Sequence, residues 1–303
     1  MRRVNVQADQ AVAKSLPATT QPTVATRHLR SNLAGLMLHI VLSIGAVAMV
    51  LPFVWMVSTS FKELSQVFVY PPEWIPNPFV WENYPKAFTS VPFGRWFLNS
   101  VLIALLVTVG QIATCSLAGF TFARMRFPGK NVLFLIYLGT MMIPHHVTII
   151  PVFVMMNTLG LVDTFWPLII PGLASAWGTF LFRQFFLTMP QELEDAAKLD
   201  GSSFFRIYTQ IFMPLAKPVL ATLGVFRFMG SWNDFLGPLI FLQSKDHKTL
   251  TIGLLQFRAD FQGMGNWPVM MAGVVISVLP VLVAFVIGQK YFVRGIALTG
   301  IKG

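Results

Sequence analysis

Residues able to do polar chemistry in this chain fall in two places. The first is Arg227, Ser231, Asn233 and Asp234, set inside a long apolar stretch. Charge is costly in such surroundings, so polar residues there mark a functional pathway by default. Arg227 and Asp234 are seven positions apart, which on one helix puts them on a shared face about 10 Å apart along the axis. Asn233 and Asp234 offer the paired donors and acceptors that a hydroxyl-rich solute needs. Trp232 offers a flat apolar face to such a solute. The other reading is that Arg227 and Asp234 neutralise each other, or a partner, while Trp232 packs. The second place is PQELEDAAKLDGSSFFRIYTQIFMPLAKP, residues 190–218, which holds Glu192, Glu194, Asp195 and Asp200 between two apolar runs.

Neither place reads as a catalytic centre. His145 and His146 are adjacent and point to different helix faces, and no third metal ligand accompanies them. The single cysteine, Cys115, lies in an apolar run and reads as a packing residue. No nucleophile–base arrangement and no phosphate-binding glycine loop is present. The chain is therefore expected to have no catalytic residue, to bind no metal or cofactor, and not to hydrolyse ATP itself.

The elements that must position these residues follow from composition. Of 303 residues, 55% are hydrophobic and only 11% charged; a soluble domain carries roughly 25% charged residues. This is the composition of an integral membrane protein. The formal charge of +10 does not point to nucleic acid, because the basic residues sit in the gaps between apolar spans. Six stretches approach the ~20 residues that cross a bilayer as a helix: Leu33–Val57, Leu98–Phe120, Val132–Met156, Trp166–Phe186, Leu215–Phe241 and Pro268–Gly288. The expected fold is all-α with six transmembrane helices. Residues 1–32 form a polar, disordered cytoplasmic tail with no secretory signal, and 33–57 the first span. Residues 58–97 form an extracytoplasmic loop, 98–289 the core with its cytoplasmic loop 190–214, and 290–303 a cytoplasmic tail.

Lysine and arginine orient the bundle. With both termini inside, the inner segments hold fifteen, among them Arg124, Arg126, Lys130, Arg183, Lys198 and Arg206, and the outer segments hold six. The 190–218 stretch then faces the cytoplasm. The outer loop is rich in proline and aromatics, which favours an extended path. Its aromatics suit the headgroup layer or a partner.

Within the cytoplasmic stretch, Pro190 can open a helix. Leu193, Ala196 and Ala197 form a narrow apolar stripe, and Glu194 and Lys198 an i,i+4 ion pair in the favourable order. Gly201 suits a left-handed helix end, and Ser202 or Ser203 a cap for a second helix. Phe204, Ile207 or Tyr208, and Ile211 fall on one face of that second helix, and Pro214 marks the turn into the next span. The first helix is shorter than the ~12–15 residues an isolated helix needs in water, so it forms only when docked. Its acidic residues disfavour lying on anionic headgroups. This leaves a helix–turn–helix offered to a cytoplasmic partner.

The segment EDAAKLDGSSFFRIYTQIFMP resembles the EAA loop of binding-protein-dependent ABC importer permeases. Asp195 takes the place of the family's glutamate; Ala196, Ala197, Gly201, Ile211 and Pro214 match, and Met213 stands for leucine. GSWNDFLGPLIFL and the ending YFVRGIALTGIKG look like carbohydrate-uptake permeases of the maltose type. The resemblance implies a type I ABC importer permease architecture in the bacterial plasma membrane. It implies a coupling role for the loop, with Glu192, Glu194 and Asp195 beside the matching residues. Implied partners are a second permease subunit, two ABC ATPase subunits that use ATP and magnesium, an extracytoplasmic sugar-binding protein and membrane lipid. The C-terminal tail would insert between the ATPases. A rival expectation is an ion-coupled secondary transporter using Asp234.

Overall fold

The structure, a computed structural model, describes residues 24–259 and 266–299. The described residues form helices and connecting turns, with no strand among them. Most of the expected N-terminal tail and the last four residues lie outside the described residues. Helix α1 spans Val24–Ser60, beginning nine residues before the expected span, and its side chains from Leu36 to Val54 are exposed. Such a surface suits lipid contact.

The second unit, from Met56 onward, contains α2 (Asn83–Ser90), α3 (Phe93–Arg124), α4 (Lys130–Gly139), α5 (His145–Thr158), α6 (Trp166–Ile169) and α7 (Ala176–Leu187). It continues with α8 (Glu192–Leu199), α9 (Phe204–Ile207), α10 (Lys217–Trp232), α11 (Leu236–Phe241), α12 (Leu250–Ala259) and α13 (Trp267–Thr299). Helix α3 is the central post. It packs along α7 and α10, and α10 packs on α13.

Three helical segments are long and apolar enough to cross a membrane unbroken: Gly35–Ser60, Phe93–Arg124 and Trp267–Lys290. Two further candidates are bent, Lys130–Met142 with His145–Thr158 by 97° and Phe204–Leu215 with Lys217–Trp232 by 78°. Counting each bent pair as one span gives five. Prolines sit at the breaks: Pro144 is the N-cap of α5, and Pro218 lies in the first turn of α10. A proline cannot donate to the preceding turn and pushes its predecessor out of helical geometry. The expected fourth span is divided too. Pro171 lies in a tight turn at Ile170–Leu173, and α7 restarts with Ser175 Oγ accepting from Gly178 N–H at 3.2 Å.

Small residues let α3 and its neighbours approach closely. A Cβ on Gly119 would stand 2.5 Å from Phe182 Cβ and 3.0 Å from the Arg183 backbone nitrogen. Toward the C-terminal end of α3, Cys115, Phe120, Phe182, Phe186, Tyr208 and Phe212 form one buried cluster, in which the Ser116 and Tyr208 hydroxyls meet at 2.7 Å. Toward its N-terminal end a second cluster gathers Phe93, Trp96, Trp232, Leu250 and Val269. The segment between α1 and α2 is irregular, apart from one turn at Leu64–Gln66. Lys62, fully buried, donates to the Glu73 carbonyl, and burial pushes its ammonium below the usual lysine range. Asn83 ties the same segment down by donating to the Ser60 and Lys62 carbonyls at 3.0 and 2.9 Å.

The close contact at Gly119 gives a direct test. Gly119→Val forces a new side chain against Phe182 Cβ and the α7 backbone and should cost roughly 1–3 kcal/mol, read as a lower thermal-unfolding midpoint of the detergent-purified chain. Gly139→Ala, at a helical position with open space around it, should not lower the midpoint.

Candidate functional site

The loop at 190–218 is built from local signals. Helix α8 begins at Glu192 with Gln191 as its N-cap, so Pro190 precedes the helix instead of opening it. Glu192, Glu194 and Asp195 fill the first turn and Lys198 the last, each on the side the helix dipole favours. Gly201 takes φ 74°, and Ser202 N–H reaches back to the Ala197 carbonyl at 2.9 Å. Of the two candidate serines, Ser203 caps α9, accepting from Arg206 N–H at 3.3 Å. A wide turn at Tyr208–Phe212 follows, then Met213–Leu215 with Pro214, leading into α10.

The buried face of α8 differs from the expected stripe. Ala197 is buried, but Leu193 and Ala196 face outward, and the second inward residue is Glu194, only 4% exposed. Charge accounts for this. Glu194 Oε1 lies 2.7 Å from Lys198 Nζ, and its Oε2 lies 4.0 Å from Arg124 Nη1. Removing one partner of such a buried pair leaves the other charge unpaired and typically costs several kcal/mol. Arg124 Nη2 also donates to the carbonyls of Phe186 at 2.6 Å and Met189 at 2.5 Å. Its guanidinium carbon stands 5.0 Å from the centre of the Phe212 ring. By its sequence position Arg124 is only an orienting charge; its partners lie more than sixty positions away.

Outward from this brace the loop presents acidic Glu192 and Asp195, small Ala196 and apolar Leu199, Phe204 and Phe205. Leu199 is 90% exposed. Beneath α9, Ile207, Tyr208 and Phe212 are buried, with Ile211 partly so. A cavity of about 520 Å³ lies beside α8, lined by Arg124, Arg126, Lys130, Glu194, Asp195 and Lys198 among others.

A second cavity, of about 450 Å³, lies within the bundle. Arg227, Ser231 and Asp234 line it together with Gln111, His145 and Thr148. Arg227 and Asp234 do not share a helix face, because α10 ends at Trp232 and Asn233 is its C-cap. The chain turn brings both to the cavity instead. Asp234 Oδ1 accepts from Gly237 N–H at 3.3 Å, and the Arg227 Nε is buried with no hydrogen-bond partner among the described residues. Glycines make the room: a Cβ on Gly172 would collide with Arg227 Nη2, and one on Gly237 would stand 2.7 Å from Asp234 Oδ2.

Trp232 and Asn233 are not among the cavity's lining residues. Trp232 is buried, donates from Nε1 to the Ser277 carbonyl at 3.1 Å, and stacks on Phe228 at 5.8 Å. Asn233 is exposed. The His145 and His146 rings stand 6.3 Å apart at 86°, and no cluster of three potential metal ligands exists among the described residues.

The contrast between neighbours is measurable. Trp232→Ala should destabilise the purified chain by about 3–5 kcal/mol, whereas Asn233→Ala should stay within about 0.5 kcal/mol. Thermal unfolding in detergent reads both.

The family described as "Binding-protein-dependent transport system inner membrane component" matches residues 115–298. The sn-glycerol-3-phosphate transport system permease protein UgpE of Yersinia pestis bv. Antiqua (strain Antiqua) is 35% identical over 265 residues, covering 85% of this chain and 94% of its own. The arabinooligosaccharides transport system permease protein AraQ of Halalkalibacterium halodurans is 35% identical over 229 residues, covering 75% of this chain and 81% of its own. A crystal structure of a bacterial ABC transporter involved in the import of the acidic polysaccharide alginate superposes with a TM-score of 0.78 at 23% identity, covering 87% of this chain and 98% of that one, which speaks to the fold. A family match over most of the chain, two relatives above 30% identity and a shared fold agree: the chain belongs to the inner-membrane components of binding-protein-dependent transport systems, the permeases of ABC importers.

Proposed function

We propose that this chain is one of two permease subunits in an ATP-driven importer for a sugar or oligosaccharide. It forms half of the translocation path and couples to cytoplasmic ATPase subunits through residues 191–213. The partners are a second permease chain, two ABC ATPases that bind and hydrolyse ATP with magnesium, and an extracytoplasmic binding protein. Six spans with both termini in the cytoplasm of a bacterial plasma membrane agree with the distribution of lysine and arginine.

One observation carries the coupling role. The face of α8 turned away from the chain's own core holds Glu192, Leu193, Asp195, Ala196 and Leu199, while Glu194 and Ala197 hold the other face down. An eight-residue helix is below the length that sustains itself in water. Its inner face is anchored, and its outer face offers a small residue flanked by apolar and acidic groups, which suits insertion into a cleft of a partner. The names of the relatives support a polyhydroxylated solute, one charged and one neutral. The bundle cavity, lined by Arg227 and Asp234 together with Gln111, Thr148 and Ser231, has the donors and acceptors for one. Asp234 is the intramembrane carboxylate an ion-coupled carrier would have needed, and its Oδ1 is engaged by Gly237 N–H.

The test targets the outer face alone. Ala196 is exposed, so Ala196→Trp should leave membrane insertion and the chain's thermal midpoint unchanged. Retention of the ATPase subunits during purification should fall by roughly tenfold or more, as a loss of about 1.4 kcal/mol or greater in docking would produce. Full retention of the ATPases with undiminished uptake would sink the coupling role.

A further inference from the structure

The α8 brace has a mechanical property that its sequence does not show. Arg124 sits in the last turn of α3, and its side chain is only 9% exposed. One guanidinium reaches four residues on three separate pieces of the chain. It donates to two carbonyls at the end of α7, those of Phe186 and Met189. It faces Glu194 on α8, and it covers the Phe212 ring in the wide turn that leads to α10. Arginine is suited to this because its five donors form a rigid planar fork. A lysine in the same place would carry the charge but could not hold several acceptors in fixed directions.

The consequence concerns movement. Glu194 is shared between Lys198, which is partly exposed, and Arg124, which is not. If a partner displaces α8, Lys198 can follow into water. Glu194 keeps Lys198, which moves with it on α8, but Arg124 cannot be left behind without stranding a buried cation on α3 that has lost its carboxylate. The cheaper outcome is that α3 and the end of α7 travel with α8. Both helices reach the cavity that holds Arg227: Gln111 belongs to α3, and Ser175 caps α7. A second contact runs in parallel, from Arg183 Nε on α7 to the Phe122 carbonyl on α3 at 3.3 Å, so the two helices move together.

We infer that Arg124 is the positioning residue through which a displacement of α8 reaches α3 and α7 and changes access to the bundle cavity. This rests on the reading of α8 as the element that meets the ATPases. Arg124 touches neither nucleotide nor solute in this scheme. It acts through Glu194.

The experiment uses the assembled complex of both permeases and both ATPases, with a reporter that needs no solute. Ser231→Cys places a thiol on the cavity wall, and the native Cys115 is buried. The rate of labelling by N-ethylmaleimide is measured without nucleotide and with ATP plus vanadate. In the reporter background, trapping should change that rate. Adding Arg124→Lys should reduce the nucleotide-dependent change by about tenfold, within the range of ordinary coupling free energies, while complex yield holds and ATP hydrolysis stays within about twofold. Glu194→Gln, which keeps the shape and removes the charge, should give an intermediate loss. An undiminished labelling response in an assembled Arg124→Lys complex would overturn the inference and leave the ATPase-docking role of α8 intact. Failure of both variants to insert or assemble would assign Arg124 to folding alone and overturn it equally. If ATPases do not co-purify with the reporter background itself, the reading of α8 falls first.

Discussion

The buried guanidinium of Arg124 is the interaction on which the α8 end of this molecule depends. A helix of eight residues carrying three carboxylates in its first turn has little reason to form by itself. It forms here because Glu194 meets a cation delivered by the end of α3, and because Ala197 is small enough to enter the cluster of Phe186, Ile207 and Phe212. The same cation satisfies carbonyls at the end of α7, where helical hydrogen bonding runs out and acceptors are otherwise orphaned. One side chain thus closes this end of the bundle and presents α8 outward.

The rest of the bundle repeats that logic at lower charge. Contacts between α3 and α7 are close because Gly119 lacks a side chain, and the hydroxyls of Ser116 and Tyr208 pair where apolar packing alone would leave them unsatisfied. At the other end, Trp96 donates to the Lys245 carbonyl at 2.8 Å and Asn99 to the Asp246 and Lys248 carbonyls at 2.8 and 2.9 Å. These bonds bind the α11–α12 connection to the central post. Asp163, at φ 62°, fastens the neighbouring turn by accepting from Gln243 N–H at 2.9 Å and Ser244 N–H at 2.8 Å. Between the two anchored ends lies the cavity with Arg227 and Asp234. Its walls include the broken segments around Pro144, Pro171 and Asn233, where backbone departs from helix. Irregular backbone is tolerated at membrane depth where it lines a cavity.

What the sequence made legible was local. Gly201 at a left-handed helix end, a serine cap and Glu194 with Lys198 are each set within four residues and each is found, with Ser203 the one of the two candidate serines that caps. The membrane class and the all-helical fold followed from composition and apolar length. What escaped was set by distant partners. Glu194 turned inward because of an arginine seventy positions earlier. Trp232 belongs to the core because the Ser277 carbonyl is there to receive its N–H. Arg227 and Asp234 share a cavity, but through a chain turn that ended their helix early and not through heptad spacing. The prolines announced breaks in the apolar stretches; bends of 97° and 78° were not readable from them.

Proximity tests most directly whether the outer face of α8 bears on an ATP-hydrolysing partner. Because the native Cys115 is buried, a Leu199→Cys chain carries one readily accessible thiol, at a position 90% exposed in this chain alone. Treating inner-membrane vesicles holding the assembled importer with a short bifunctional maleimide reagent, with cysteines introduced around the ATPase cleft, should give a permease–ATPase adduct whose yield changes when ATP is bound. A Leu199→Cys thiol that reacts freely with maleimide yet forms no adduct with the ATPase in any nucleotide state would contradict that contact and the coupling role built on it.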